Sequence, residues 1–179
     1  MPRNAHAEQR TSHRLRNTVF SARYGAAVVK ICAGGLDDER VQQLLAEHIA
    51  DMYATSPAES VHALDLDALR GPGLVFWTAW DGPLAVGCGA LKDLNDDDVE
   101  LKSMRTSATS RGKGVGTVML RHLLDEARRR GAKRVLLETG SQQFFAPARR
   151  LYERHQFTQR GPFAGYVEDP NSHFYELAL

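Results

Sequence analysis

Arg111-Gly112-Lys113-Gly114-Val115-Gly116 decides how this chain is read. It follows the strand-like run Val99-Glu100-Leu101-Lys102-Ser103-Met104 and opens an amphipathic helix. Glycines there let the backbone approach a ligand with no Cβ in the way. The helix behind them starts with unpaired N–H groups and the positive end of its dipole. That combination binds phosphate or diphosphate.

Downstream of the loop, Val115, Met119, Leu123 and Ala127 repeat at helical spacing, with Leu120 and Leu124 widening the stripe. Gly131 stands where a helix C-terminus favours glycine. Arg134-Val135-Leu136-Leu137-Glu138-Thr139 reads as a strand, and a helix between two strands implies that they run parallel. Pro147 starts another helix, and residues 157–163 and 173–179 read as closing strands. Upstream, residues 26–32 read as a strand and Asp37 as the cap of a helix reaching Tyr53. Ser56-Pro57-Ala58-Glu59 has the pattern of a second helix start, with Ser56 as cap. Residues 74–80, the turn Asp81-Gly82-Pro83 and residues 84–91 read as a hairpin. With residues 99–106 they make an antiparallel meander, and Gly87 and Gly89 mark a bulge or a close approach.

At 179 residues the chain suits one domain over residues 26–179, preceded by a basic extension. Residues 1–25 carry five arginines against one acid, Glu8, and no hydrophobic period, so they read as unstructured. Net charge is +1, which implies no polyanionic partner. Two cysteines, Cys32 and Cys88, make no disulfide framework, so a reducing cytoplasm is the expected setting. No apolar run reaches membrane-spanning length, and no His/Cys set has zinc-site spacing, so neither a membrane nor a metal is expected. The glycine loop lacks P-loop spacing, and the Arg128-Arg129-Arg130 cluster suits a helix C-terminus better than nucleic acid.

Taken together, these residues resemble the GNAT N-acetyltransferase superfamily. Its acyl-CoA loop follows Gln/Arg-x-x-Gly-x-Gly/Ala, which residues 111–116 match in full. Its Ala-x-x-Leu-Tyr-x-x-x-Gly-Phe segment is matched from Ala148 to Phe157, except that Gln156 replaces glycine. Phe145 stands where an asparagine is common. Within the superfamily the likeness is to a bacterial group, the YsnE-like proteins, through Ser56–Leu64, Glu100–Thr106 and Gly161–Ser172. The resemblance implies an α/β fold: a mixed central sheet of six to seven strands, antiparallel in its N-terminal part, with helices on both faces.

It also implies transfer of an acetyl group from acetyl-CoA to a primary amine of a small molecule, by direct attack in a ternary complex. Arg111, Gly112, Lys113, Gly114, Val115, Gly116 and Thr117 would cradle the diphosphate, and Met104, Arg105 and Thr106 would pair with the pantetheine arm like an added strand. A lysine-like amine, with a pKa of about 10.4, is neutral in roughly one molecule in 2,500 at pH 7, so a base is useful. Glu100 is the first candidate, acting directly or through water, and Glu138 on the neighbouring strand is the second. Tyr152 would protonate the departing thiolate, its phenol being neutral at pH 7. Each of these has a plainer reading: Glu100 as an ion-pair partner of Lys102, Tyr152 as a packing residue. The acceptor pocket is assigned to His62, Trp77, Tyr166 and Asp169, although Asp169-Pro170 also suits a turn. Transfer of another acyl group and a degenerate acyl-CoA-binding regulator are the alternatives. The acceptor's identity is open, and so is the oligomeric state, a homodimer included.

Overall fold

The computed structural model describes residues 20–24, 27–62 and 64–179. Strands β1 (Phe20–Tyr24) and β2 (Ala27–Ala33) come first, then helices α1 (Glu39–Thr55) and α2 (Leu66–Leu69). Strands β3 (Leu74–Asp81), β4 (Leu84–Asp93) and β5 (Asp98–Thr106) follow as the meander. Helix α3 (Val115–Arg129), strand β6 (Arg134–Gly140), helix α4 (Ala146–Arg154) and strands β7 (Thr158–Arg160) and β8 (Ser172–Ala178) complete the chain. The strands form one sheet in the order β1-β2-β3-β4-β5-β6-β8-β7, in which β5 and β6 alone run parallel. No helix among the described residues is long and apolar enough to cross a membrane.

The sheet buries both faces, and the pleat sorts alternate residues between them. On one face Trp77, Leu101, Val135, Leu137 and Tyr175 pack against the stripe of α3 and against Leu151 and Tyr152 of α4. On the other, Phe76, Cys88 and Ala90 pack against Val41, Leu44 and Leu45 of α1, while Leu136, Phe163 and Phe174 form a third cluster. Leu120 and Leu123 are fully buried. Each such side chain contributes about 1.5–3 kcal/mol of transfer free energy. Gly87 admits α3 and β5 closely: a Cβ there would sit 2.9 Å from the Arg105 carbonyl oxygen.

Three local expectations change. Phe20–Tyr24, inside the extension expected to be unstructured, pairs antiparallel with β2, so the sheet has eight strands among the described residues. An edge strand of this kind is stabilised by its partner's backbone rather than by a pattern of its own. Residues 1–19 lie outside the described residues. Helix α1 is capped by Asp38, which accepts from the Arg40 N–H at 2.9 Å, and not by Asp37. Ser56 ends α1 instead of starting a helix, donating its N–H to the Met52 carbonyl; Ala58–Ser60 is a single 3-10 turn.

Helix α4 ends in a Schellman motif. Phe157 N–H bonds the Tyr152 carbonyl at 3.1 Å, and Gln156 N–H bonds that of Glu153 at 3.0 Å. The rings of Tyr152 and Phe157, 5.7 Å apart, supply the apolar contact of that motif. Gln156 therefore carries φ +67°, a left-handed position where glycine is unstrained. Holding an L side chain there costs about 1–2 kcal/mol. Gln156→Gly is expected to raise unfolding free energy by about 1 kcal/mol, the rest being lost to glycine's greater freedom when unfolded. Urea midpoints of the two proteins check this; an unchanged or lower midpoint contradicts it.

Candidate active site

Strands β5 and β6 pair only at Asp98/Arg134, Val99/Val135 and Glu100/Leu136. Beyond Glu100, β5 continues to Thr106 held by β4 alone, and β6 continues to Gly140 held by β8 alone. Their facing edges are thus left without ladder partners, and a gap opens through the sheet. Leu101–Met104 form one wall of the resulting cleft and Glu138–Gly140 the other. His48 and Met52 of α1, His62, Phe145, Ala148 and Tyr152 close its ends. It is narrow, about 90 Å³. A larger open hollow of about 430 Å³ lies between α1 and residues 64–70. Its lining holds neither bare strand edges nor any of the candidate residues, so the narrower gap marks the site.

A bulge re-aims β5 at this point. Between Cys88 and Ala90 of β4 the register slips, and Ser103 adopts φ +50°. Val99 and Leu101 face α3, as pleating dictates. After the bulge Met104 also packs on that side, so its sulfur lies 4.0 Å from the Tyr152 hydroxyl. Arg105 then turns to the opposite face. Its guanidinium is almost completely enclosed, 2.7 Å from Asp51 of α1. The Arg105 side chain is therefore committed to α1, and only its backbone is presented at the gap. Arg111 reaches the same carboxylate at 3.2 Å and lies over the Phe144 ring. Burial works to raise the Asp51 carboxyl, but both arginines outweigh it and hold it below the ordinary value.

The glycine loop leads from Thr106 into α3. Gly112 and Gly114 have φ +75° and +81°, and Gly114 is the N-cap of α3. Lys113 N–H is used by the Ser110 carbonyl at 3.3 Å, and the first helical bond runs from Val118 N–H to the Gly114 carbonyl. The N–H groups of Val115, Gly116 and Thr117 consequently have no helical acceptor. Gly116 has a different constraint from the one its motif suggests: a Cβ there would meet Leu151 and Thr106 at 3.4 Å, where α3 packs on α4 and β5. The Lys113 side chain is exposed.

Glu100, Lys102, Tyr166 and His62 form one connected group beside the gap. Glu100 is buried, 3% exposed, and its Oε1 accepts from the Tyr166 hydroxyl at 2.6 Å. Lys102 Nζ lies 3.2 Å from the same oxygen and donates to the Tyr166 oxygen at 2.6 Å and the His62 carbonyl at 3.5 Å. The His62 ring stands edge-on to Tyr166, 5.1 Å away. Burial and the Glu100 charge push the Tyr166 phenol far up. Glu138 lines the cleft; burial raises its carboxyl against the opposing effects of Ser172, His62 and Lys102. Tyr152 is buried beside it, its phenol raised by burial and by the Glu138 charge, and so protonated at neutral pH.

The structure thus brings Met104, Tyr152 and His62 to the lining of one gap, with Glu100 and Tyr166 joined to it through Lys102. Trp77 is not among them. It faces α3, edge-on to His122 at 5.6 Å and under Arg130, because its place in the β3 pleat puts it on the side away from His62 and Tyr166. Asp169 is taken up by its own turn, accepting from the Asn171 N–H at 2.8 Å. His48 and Asp51 escaped the sequence reading as site residues, whereas Ser172 lies in a segment, 161–172, that the family likeness singled out. His48 falls in the helical spacing of Leu44 and Leu45, so the pattern of α1 reads it as part of the apolar stripe, and only the approach of Arg105 distinguishes it and Asp51. Among the described residues no group of three or more His, Cys, Asp or Glu could hold a metal.

Residues 41–157 match the family model of the acetyltransferase (GNAT) family. The chain belongs to this family. It is 51% identical over 139 residues to the uncharacterized N-acetyltransferase YsnE of Bacillus subtilis, covering 78% of this chain and 92% of that protein. It is 47% identical to the uncharacterized N-acetyltransferase YedL of Escherichia coli, covering 78% and 87%. A GNAT acetyltransferase from Elizabethkingia anophelis, solved with acetyl-CoA bound, superposes with a TM-score of 0.62 at 14% identity, over 84% of this chain and 98% of that one. The mixed sheet with helices on both faces is the GNAT fold, and the protein is an acetyltransferase of this family.

His48 ties the site to stability. Burial and the nearby Arg105 charge lower its imidazole to about 4. Unfolded, it returns to about 6.5, so between those values the unfolded chain binds a proton that the folded one refuses. This contribution is intact above pH 6.5 and is lost as the pH falls toward 4. Allowing for its partial exposure, wild-type protein should lose roughly 1–2 kcal/mol from this group between pH 7.5 and 5. His48→Gln should lose correspondingly less. Urea unfolding at both pH values measures the difference, and parallel losses in the two proteins would exclude the effect.

Proposed function

We propose that this GNAT enzyme takes its acetyl group from acetyl-CoA and delivers it to a primary amine of a small molecule, with both substrates bound at once. The bare inner edge of β5 from Leu101 to Thr106, running straight into an open helix start, carries this reading. A chain of amides fits such an edge as an extra strand at Met104 and Thr106. A diphosphate fits the helix-start N–H groups of Val115, Gly116 and Thr117, with Lys113 and Arg111 adding charge. When bound, acetyl-CoA supplies the thioester. The narrow bore beside Met104 and Tyr152 suits a short acyl group better than a long one.

The residues then divide the work by face. Tyr152, on the α3 side, holds its hydroxyl oxygen 4.0 Å from Met104 Sδ and gives its proton to the departing sulfur. Glu100, ion-paired with Lys102, holds the Tyr166 hydroxyl at 2.6 Å. The acceptor enters from the α1 side, past His62 and Tyr166. Ser56 and Gln142 meet at 3.2 Å, and Gln142 and Asn171 at 3.4 Å, linking α1, the loop after β6 and the loop before β8. This bracing narrows the approach, which favours a small acceptor over a folded protein.

Calorimetry is expected to give saturable heat with acetyl-CoA; folded protein giving none with coenzyme A or its acetyl, propionyl and succinyl thioesters would overturn the reading. Thiol release should then be screened over amino acids, putrescine, spermidine, tyramine and aminoglycosides. With any acceptor so found, Tyr152→Phe should lower kcat by about 10²- to 10⁴-fold while acetyl-CoA affinity stays within about twofold. Equal kcat values would remove Tyr152 from the reaction.

A further inference from the structure

Two carboxylates lie on the α1-side face of β5 and β6, but only Glu138 lines the gap, and their surroundings differ. Glu100 has a cation at 3.2 Å and a phenol at 2.6 Å. Among the described residues Glu138 has one hydrogen-bond partner, the Ser172 hydroxyl at 2.7 Å, and no ion pair. Alternation on β6 sends Leu137 toward α3 and Leu136 and Glu138 to the other face. With Lys102 matched to Glu100, Glu138 is the half-buried carboxylate left without a counter-charge on a cleft wall. A buried charge in that state is costly unless something cationic joins it.

We propose that Glu138 receives the acceptor: it holds the incoming amine as an ammonium ion in the gap and removes its first proton. This rests on the N-acetyltransferase reading above. Ser172 holds one carboxylate oxygen and leaves the other for the ammonium. Glu138 takes a proton from nitrogen, and the freed lone pair forms the C–N bond as the C–S bond breaks. Nitrogen loses its second proton, and Tyr152 supplies one to sulfur. One ammonium ion and one thioester become one amide, one thiol and one proton released to water. Glu100 is then a positioning residue. Lys102, Glu100, His62, Tyr152, Tyr166 and His48 are the ionisable groups around Glu138. Its own burial raises its carboxyl and leaves it a stronger base than a surface glutamate.

The test compares Glu138→Gln with Glu100→Gln. Glu138→Gln should keep acetyl-CoA affinity within about twofold, lower kcat/KM at pH 7 by about 10²-fold or more, and erase the acidic limb of the pH–rate profile. Glu100→Gln should keep that limb. An acidic limb that persists in Glu138→Gln overturns the proposal. An acceptor-free measurement accompanies it: carbon NMR of the protein labelled at glutamate carboxyls, with Glu138 identified by the resonance lost in Glu138→Gln. That resonance should titrate above the other glutamates and shift on adding putrescine but not 1,4-butanediol. Titration together with the surface glutamates, or an equal response to both additives, overturns the proposal. Should acetyl-CoA give no heat, the parent reading fails, while the titration still decides whether Glu138 is an ammonium site. Ser172→Ala is the milder variant if Glu138→Gln does not fold; it should lower kcat/KM several-fold and move the acidic limb, and an unmoved limb counts against the proposal.

Discussion

Strands β5 and β6 hold together for three residue pairs and then separate, and the site follows from that separation. At the paired end Arg134 forks onto both oxygens of Asp98, at 2.7 and 2.8 Å, pinning β6 to β5 where the ladder still exists. That fork, outweighing partial burial, keeps the Asp98 carboxyl below the ordinary carboxylate value. Past Glu100 the bulge at Ser103 bends β5 toward β4, while β8 keeps β6 on its own course to Gly140. An unpaired backbone edge inside a protein costs about 1–3 kcal/mol for each group shut off from water. On a cleft wall such an edge offers its row of donors and acceptors to an occupant of extended shape.

Charge is distributed around the gap in matched sets. Arg105, enclosed on β5, faces Asp51, which Arg111 shares from the glycine loop. The end of α1, the bulged strand and the loop are thereby tied through one carboxylate. Glu100 and Lys102 form a second set with Tyr166. The Glu100–Lys102 pair is buried on both sides, so desolvation offsets most of its attraction, yet breaking it strands a charge. The effect of the two sets is to hold the walls of the cleft in one arrangement, which is what a site for oriented reactants needs.

The two departures from the family motif have different consequences. Gln156 keeps the cap geometry of α4 and bears a left-handed backbone for it. The hydrogen bonds that place Tyr152 survive, so the substitution acts on stability rather than on the direction of the phenol. Phe145, in place of the common asparagine, packs directly over Gly140 and lines the cleft. Arg149 bonds the Gly140 and Gln142 carbonyls at 2.6 and 3.0 Å and braces the same corner. An apolar ring there replaces an amide's hydrogen bonds with a rigid wall.

The glycine loop, the stripe of α3, the meander and the Leu-Tyr segment were legible because each rests on local chemistry: backbone freedom, a 3.6-residue period, turn residues and a capping pattern. These settle the element order, and with it the superfamily and the parallel pairing of β5 with β6. Strand β1 was hidden, since pairing with β2 rather than its own pattern makes it a strand. Which side chains share the gap was not legible either. Trp77 and Phe76 are neighbours in sequence, and only the assembled sheet shows which of them faces α3. The Glu100–Lys102 pair, two residues apart on β5, was legible, but Tyr166 against Glu100 and Ser172 against Glu138 arrive from separate segments. Local sequence determines which elements form, because those forces act within a few residues. Burial, and partners such as Tyr166 and Ser172, are set by residues distant in the chain, so the tertiary fold alone decides them.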